Sequence, residues 1–332
     1  MNTTAYLQFS TTGAPQDVLE LLHRELPALG PCDVRVAMRY APINPADLNF
    51  IEGNYGRPSN PPAVPGIEGS GEVVEIGAEV ESLSVGDFVI PLHSGGTWTQ
   101  QLVAPEGYFA KLPDRIDLVQ ASMLRINPVT AWRLLEDYVE LVPGDWIVQN
   151  AANSGVGRAL IQIAKQRGIR TMNFVRRAEL ISELKDLGAD EVLVDDDAGV
   201  EAARQIMEHN SPRLAANAVG GDSAVRLMEV LATHGTMVTY GAMSRRSLKV
   251  PNKFLIFKDL SLRGLWVSKW FERASHAEVS EVLRPLATMV VEDSLVTAVD
   301  SVVPLKDFRR AVQRAQEGGR SGKVVIDLTV AD

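Results

Sequence analysis

A chain of 332 residues, 45% hydrophobic and 23% charged, has the composition of a soluble globular protein and the length of about two domains. A net charge of −9 argues against nucleic acid or an anionic membrane as partner, since both call for a basic face. The single cysteine, Cys32, rules out an intramolecular disulfide and any zinc site built of thiolates.

The N-terminus (MNTTAYLQFSTTGAPQD) lacks a basic stretch followed by an apolar core, so it does not read as a secretory signal. No apolar run reaches the ~18 residues needed to span a bilayer. These features predict a cytoplasmic protein, or an organellar one had a presequence been cleaved.

Residues 1 to about 120 carry short β-like runs separated by turns: Val34–Val36, Gly71–Gly77, Gly86–Pro91 and Gln101–Val103. Pro58, Pro61, Pro62 and Pro65 stiffen the loop between them. This pattern predicts a partly open β-barrel with long loops. From about 125 the pattern changes to alternating helices and strands. Helices are expected at 128–140, 155–167, 178–187, 199–209 and 222–232, and strands at 146–149, 171–175, 191–194, 214–218, 235–240 and 261–267. That alternation predicts a doubly wound parallel sheet. A strand–helix–strand tail from about 298 is expected to rejoin the first domain.

The stretch Asp145–Arg177 carries the most chemistry. A buried strand (Trp146, Ile147, Val148) leads through Ala152-Asn153-Ser154-Gly155-Val156-Gly157 into a helix with an apolar stripe. Small residues there let a pyrophosphate approach unpaired N–H groups and the positive end of a helix. Of the usual three glycines only the last, Gly157, is kept, so the signal rests on strand, turn, helix and strand in the right order. Where an acidic residue would hold the ribose 2′-hydroxyl of NAD stand Arg176 and Arg177, which suit the 2′-phosphate of NADP. A helix-packing turn followed by a basic loop is the alternative.

The segments Asn44-Pro45-Ala46-Asp47-Leu48-Asn49, Gly53-Asn54-Tyr55-Gly56, Asn127-Pro128-Val129-Thr130-Ala131, Gln149–Gly157, Gly235–Gly241 and Leu255–Leu260 occur in that order. Together they resemble the zinc-independent, quinone oxidoreductase-like branch of the medium-chain dehydrogenase/reductase superfamily. Within that branch the likeness is to the mitochondrial-type trans-2-enoyl thioester (enoyl-CoA) reductases of fatty acid metabolism. The resemblance implies a GroES-like β-barrel catalytic domain, residues 1–124 completed by 299–332. It also implies a Rossmann NADP-binding domain over 125–298, and a homodimer.

The metal-dependent branch carries Gly-His-Glu where this chain has Gly66-Ile67-Glu68, and His93 stands without partner ligands. Three protein ligands are the norm for catalytic zinc, so no metal is expected. The resemblance implies NADPH as hydride source to the β-carbon of an enoyl-CoA or enoyl-acyl-carrier-protein thioester. Tyr55 would then protonate the α-carbon, a role that suits a phenol, neutral at pH 7. Trp98 matches a residue near the acyl pocket, with a core tryptophan as the alternative.

Cofactor contacts are implied for Asn127 (or else a helix cap before Pro128), for Asn153, Ser154, Gly155 and Val156, and for Arg176 and Arg177. They are also implied for Tyr240, Gly241, Ala242 and Met243, for Leu265, Trp266, Val267 and Ser268, and for Lys323. Arg245, Arg246 and Lys249 form a basic cluster that the family does not regularly share. It could meet the phosphates of coenzyme A or an acidic carrier, or could be a solvated loop. A quinone or α,β-unsaturated carbonyl reductase is the alternative function on this scaffold. A cofactor-binding protein without turnover is a third.

Overall fold

The computed structural model describes residues 3–93, 95–207, 210–320 and 322–330. The chain opens with a hairpin, β1 (Thr3–Phe9) against β2 (Leu19–Glu25), joined through the short helix α1 (Pro15–Val18). There follow β3 (Asp33–Pro42), α2 (Pro45–Ile51), β4 (Ser70–Ile76), β5 (Phe88–Pro91), β6 (Gln101–Pro105), β7 (Phe109–Lys111) and α3 (Leu118–Ala121). Alternation begins at α4 (Asn127–Glu136) and continues through β8 (Trp146–Gln149), α5 (Gly155–Gln166), β9 (Arg170–Val175), α6 (Leu180–Leu187) and β10 (Glu191–Val194). Next come α7 (Asp197–Met207), β11 (Leu214–Asn217), α8 (Gly221–Val230), β12 (Thr236–Thr239), α9 (Asn252–Ile256) and β13 (Ser261–Gly264). The chain closes with α10 (Val267–Phe271), α11 (His276–Val291), β14 (Val299–Pro304), α12 (Phe308–Gln316) and β15 (Lys323–Asp327).

Contacts divide the chain into two compact units, Met1–Ile126 with Ser268–Asp332, and Asn127–Val267. The return to the first unit therefore falls at Ser268, some thirty residues before the expected 299. The reason is α11, absent from the expected elements because Pro285 interrupts its pattern. Its buried Val279, Leu283 and Ala287, one turn apart, face Leu92, Phe109 and Leu112 of the first unit. The helix expected over 199–209 ends at Met207, and Glu208 and His209 lie outside the described residues.

In the first unit a seven-stranded sheet runs β14-β15-β3-β4-β5-β7, with β6 paired to β3 off that path. Only β14 and β15 pair in parallel; the other pairs are antiparallel. Its core gathers Phe9, Leu19, Val34, Val36, Met38, Ile51, Trp98 and Phe308.

In the second unit six strands run β10-β9-β8-β11-β12-β13, all parallel. A parallel sheet covered on both faces needs apolar strands, and β8 and β11 are buried at every residue. Strand order runs outward one way from β8 and the other way from β11. The carboxyl ends of this pair are therefore the switch point where such sheets bind ligands.

Candidate active site

In the second unit the turn after β8 enters α5 at the switch point. Ala151 holds a left-handed φ of 47°, costly for a residue with a Cβ. Ser154 caps α5, its hydroxyl accepting the Gly157 N–H at 3.1 Å. A Cβ at Gly157 would lie 2.5 Å from the Ala152 carbonyl oxygen, so only glycine lets the helix sit this close to the strand. A Cβ at Gly155 would stand 2.7 Å from the Asn127 Nδ2. The expected loop residues Asn153, Ser154, Gly155 and Val156 thus come together with Asn127.

Two buried donors beside this loop lack partners. Asn127, 7% exposed, is the first residue of α4, and its Nδ2 has no hydrogen-bond acceptor. The Tyr240 hydroxyl lies beside Ser154 without a well-aligned hydrogen bond among the described residues, and burial pushes its pKa well above the usual phenol range, with Ser154 drawing it back. Unpaired buried donors are costly, and a bound ligand that accepts from them removes the cost. Arg176 and Arg177 are exposed just past β9.

The Tyr240–Met243 segment is pinned to β11 by Tyr240 N–H to Asn217 O (3.0 Å) and Met243 N–H to Ala218 O (2.9 Å). Beneath it Asn150 Nδ2 donates to Asn217 Oδ1 (2.9 Å) and to the Ser223 hydroxyl (2.8 Å), and that hydroxyl donates to Asp195. These two buried asparagines escaped the sequence reading, although both stand at strand ends where the sheet reverses. Leu265 and Trp266 follow β13 half-buried and Val267 is buried, whereas Ser268 falls to the first unit. This cradle of glycines, orphaned donors and exposed arginines fits a phosphorylated dinucleotide.

In the first unit Tyr55 stands on the turn that ends α2. Gly53, at φ 77°, stops the helix, and the Asn54 N–H closes onto Asn49 O at 2.8 Å. The half-buried Tyr55 ring packs against the barrel core. Near it lies Arg125, which none of the sequence motifs singles out. It is 1% exposed and donates to Ile67 O (2.7 Å) and Leu92 O (2.9 Å), with Phe271 4.3 Å from its guanidinium. Burial lowers its pKa to about 10, opposed by Glu68 and then by Tyr108 and Tyr55.

A buried ionic cluster completes this side. Glu68 accepts from Asn44 Nδ2 (2.9 Å) and Ile126 N–H (2.8 Å), and Asp47 accepts from the N–H groups of Asn44 (2.8 Å) and Ile67 (2.9 Å). Lys323 donates to Asn44 Oδ1, so its ammonium is turned to this internal cluster. Burial pushes Asp47 up to about 7; the Asn44 N–H pulls it back, and the Glu68 charge raises it further. Burial also raises Glu68, with Lys323 the main opposing charge. Trp98 has no exposure and lies in the barrel core, and its Nε1 has no hydrogen-bond acceptor among the described residues.

Next to Leu92 is an apolar cavity of about 670 Å³ between β7 and α11, lined among others by Phe109, Val279, Leu283 and Ala287.

These residues do not fit zinc. Ile67 stands buried where the metal-dependent branch has its histidine, and the His93 ring is stacked 4.6 Å from Tyr108. Among the described residues no group of three or more His, Cys, Asp or Glu could hold an ion.

Comparison with known proteins places this geometry in a family. Residues 30–114 match the alcohol dehydrogenase GroES-like domain and residues 155–288 the zinc-binding dehydrogenase family, whose description names a metal for which the described residues offer no cluster of ligands. The mitochondrial enoyl-[acyl-carrier-protein] reductases of Rattus norvegicus and Homo sapiens are each 41% identical, over 97% of this chain and 88% of theirs. Among solved structures, the Etr1p/NADP/crotonyl-CoA complex superposes with a TM-score of 0.90 at 28% identity, covering 98% of this chain and 100% of that one. The mitochondrial 2-enoyl thioester reductase Etr1p/Etr2p heterodimer from Candida tropicalis gives 0.89 at 28% with the same coverage. A mycobacterial quinone oxidoreductase gives 0.86 at 26%, covering 98% and 99%. With barrel, doubly wound sheet and dinucleotide cradle in place, the chain belongs to the mitochondrial-type enoyl thioester reductases, a zinc-independent branch of the medium-chain dehydrogenase/reductase superfamily.

Proposed function

We propose that the protein reduces the C2=C3 double bond of trans-2-enoyl thioesters with NADPH. The observation that carries the reading is Tyr55 on its glycine-bounded turn beside a buried arginine, in a chain whose ligand position for zinc is filled by Ile67. NADPH, when bound, supplies a hydride to the β-carbon. Asn127, the loop Asn153–Val156, Tyr240 and Met243 hold the cofactor, with Arg176 and Arg177 on its 2′-phosphate. Negative charge then develops on the thioester oxygen, and a nearby fixed cation favours it; Arg125 is such a cation. Tyr55 delivers its phenolic proton to the α-carbon. The apolar cavity beside Leu92 is of a size suited to an acyl chain.

The test follows NADPH consumption with crotonyl-CoA and with a quinone, in wild type and Tyr55→Phe. The proposal expects crotonyl-CoA turnover that falls about 10²- to 10⁴-fold in the variant. Rapid turnover of the quinone alone would favour the quinone reductase reading, which the mycobacterial likeness keeps in view. Retained NADPH binding without turnover of either would favour a non-catalytic protein.

A homodimer is the proposed assembly. The strand β13 ends the sheet, and near it Leu255, Ile256 and Phe257 are 44%, 67% and 78% exposed, an apolar edge suited to a second copy. Sedimentation as a monomer at micromolar concentration would overturn it. No helix among the described residues is long and apolar enough to cross a membrane, and the mitochondrial names of the relatives support the organellar alternative over the cytoplasmic one.

A further inference from the structure

The loop after β12 carries Arg245, Arg246 and Lys249, all exposed, in a chain of net charge −9. The loop is held in place rather than dangling. Ser244 N–H donates to Val219 O (3.2 Å), the Ser244 hydroxyl donates to the same oxygen (2.6 Å), and Arg246 N–H donates to that hydroxyl (3.2 Å). A tight turn, Arg245 N–H to Ala242 O at 2.8 Å, puts Arg245 in a left-handed conformation (φ 56°). Asp222 takes Lys249 at 2.8 Å and lies 3.9 Å from Arg246, so one acid faces two cations. Arg245 has no ion-pair partner among the described residues.

The position of the loop separates it from the cofactor's own phosphate site. Arg176 follows β9 and Arg245 follows β12, three strands apart in the sheet. At about 4.8 Å per strand, β9 and β12 lie about 14 Å apart, on opposite sides of the strand that leads into the phosphate loop. A dinucleotide that puts its 2′-phosphate on Arg176 and Arg177 runs its nicotinamide end toward β11 and β12. The Arg245 pole, which follows β12, therefore lies toward the nicotinamide end of the cofactor.

We propose that Arg245 and Arg246, supported by Lys249, bind the phosphates of the coenzyme A nucleotide; this rests on the thioester reductase reading. Three cations within five residues present a compact positive spot with a net excess of about two charges. That suits the clustered 3′-phosphate and diphosphate of coenzyme A, which arginine engages through paired donors. An acidic carrier protein would need a broader basic face, and the net charge of this chain repels it.

The experiment measures kcat/KM for crotonyl-CoA and for S-crotonyl-N-acetylcysteamine, which has no phosphate, in wild type, Arg245→Glu and Arg246→Gln. The ratio of the two values should fall about tenfold in Arg245→Glu and by a smaller factor in Arg246→Gln, and the wild-type ratio should fall as salt rises. An unchanged ratio overturns the proposal. So does a rise in the KM for NADPH that matches the loss with crotonyl-CoA, which would give the cluster to the cofactor. So does an equal loss with a crotonyl carrier protein, which has no such nucleotide. Failure of wild type to reduce either thioester would instead sink the underlying reading.

Discussion

Replacing Tyr240 with phenylalanine should make the protein more stable and worse at binding its cofactor. The Tyr240 hydroxyl is buried beside Ser154 and, among the described residues, forms no well-aligned hydrogen bond. An unpaired buried donor costs about 1–3 kcal/mol, and Tyr240→Phe removes it without leaving a cavity, so a gain of about 1 kcal/mol is expected. For a unit of roughly 140 residues this raises the melting temperature by about 3 °C. If NADPH accepts from the hydroxyl, losing that bond costs about 0.5–1.5 kcal/mol of binding, a Kd about 2- to 12-fold weaker. Wild type at a hundredfold excess of NADPH over Kd gains about 2.7 kcal/mol; a variant bound tenfold more weakly gains about 1.4 kcal/mol. Thermal melts with and without NADPH therefore start with the variant above wild type and converge as cofactor is added. A variant that melts lower without cofactor would show that the hydroxyl is already satisfied. An unchanged ligand-induced shift would show that NADPH does not use it.

Arg176→Asp should weaken NADPH about 10- to 100-fold while leaving NADH within about twofold, because only the phosphorylated ribose meets the side chain; equal weakening by titration calorimetry would unseat the phosphate clasp. Asp47 titrates at about 7 when folded against 3.8 ordinarily, so the folded state holds a proton that the unfolded chain releases. Its contribution is full below about pH 3.8 and is lost as pH rises to about 7. The stability of wild type relative to Asp47→Asn, from urea melts, should therefore fall across that window, and a flat difference would refute the assignment. Leu283→Trp, projecting bulk into the apolar cavity, should depress kcat/KM for a ten-carbon enoyl-CoA at least tenfold more than for crotonyl-CoA; equal effects would remove the cavity from the acyl path.

What the sequence revealed depended on how local the signal was. The turn from Ala152 to Gly157 could be read because strand, turn, helix and the two arginines follow one another within about thirty residues. Tyr55 needed the family likeness, since a tyrosine between Asn and Gly is equally a surface turn. The Asn44–Glu68–Lys323 cluster was hidden by distance, as its members stand up to 279 positions apart. The spacing of Asn44 and Asp47 is nonetheless that of a capping box, which the start of α2 displays. Arg125 could not be foreseen: only the packed structure shows carbonyls of Ile67 and Leu92 converging on one guanidinium. The helix α11 was missed because periodicity cannot outvote an internal proline, and its neighbours β5 and β7 come from a distant part of the chain.

The place of β15 also sets an order of assembly. This strand lies between β14 and β3, with Val325 opposite Pro42, so the first sheet closes only when residues some 280 positions after β3 arrive. Bringing ends some 280 residues apart together costs about 5 kcal/mol in a flexible chain. The second unit is one unbroken stretch, Asn127–Val267, whose neighbouring strands β8, β9 and β10 are each one helix apart. It is complete on the ribosome while β3, already paired with β4 and β6, still waits for β15. The nucleotide-binding half thus matures first, and once folded it shortens the effective loop that β15 must close. A chain cut before Lys323 would then keep its dinucleotide cradle and lose the barrel that carries Tyr55.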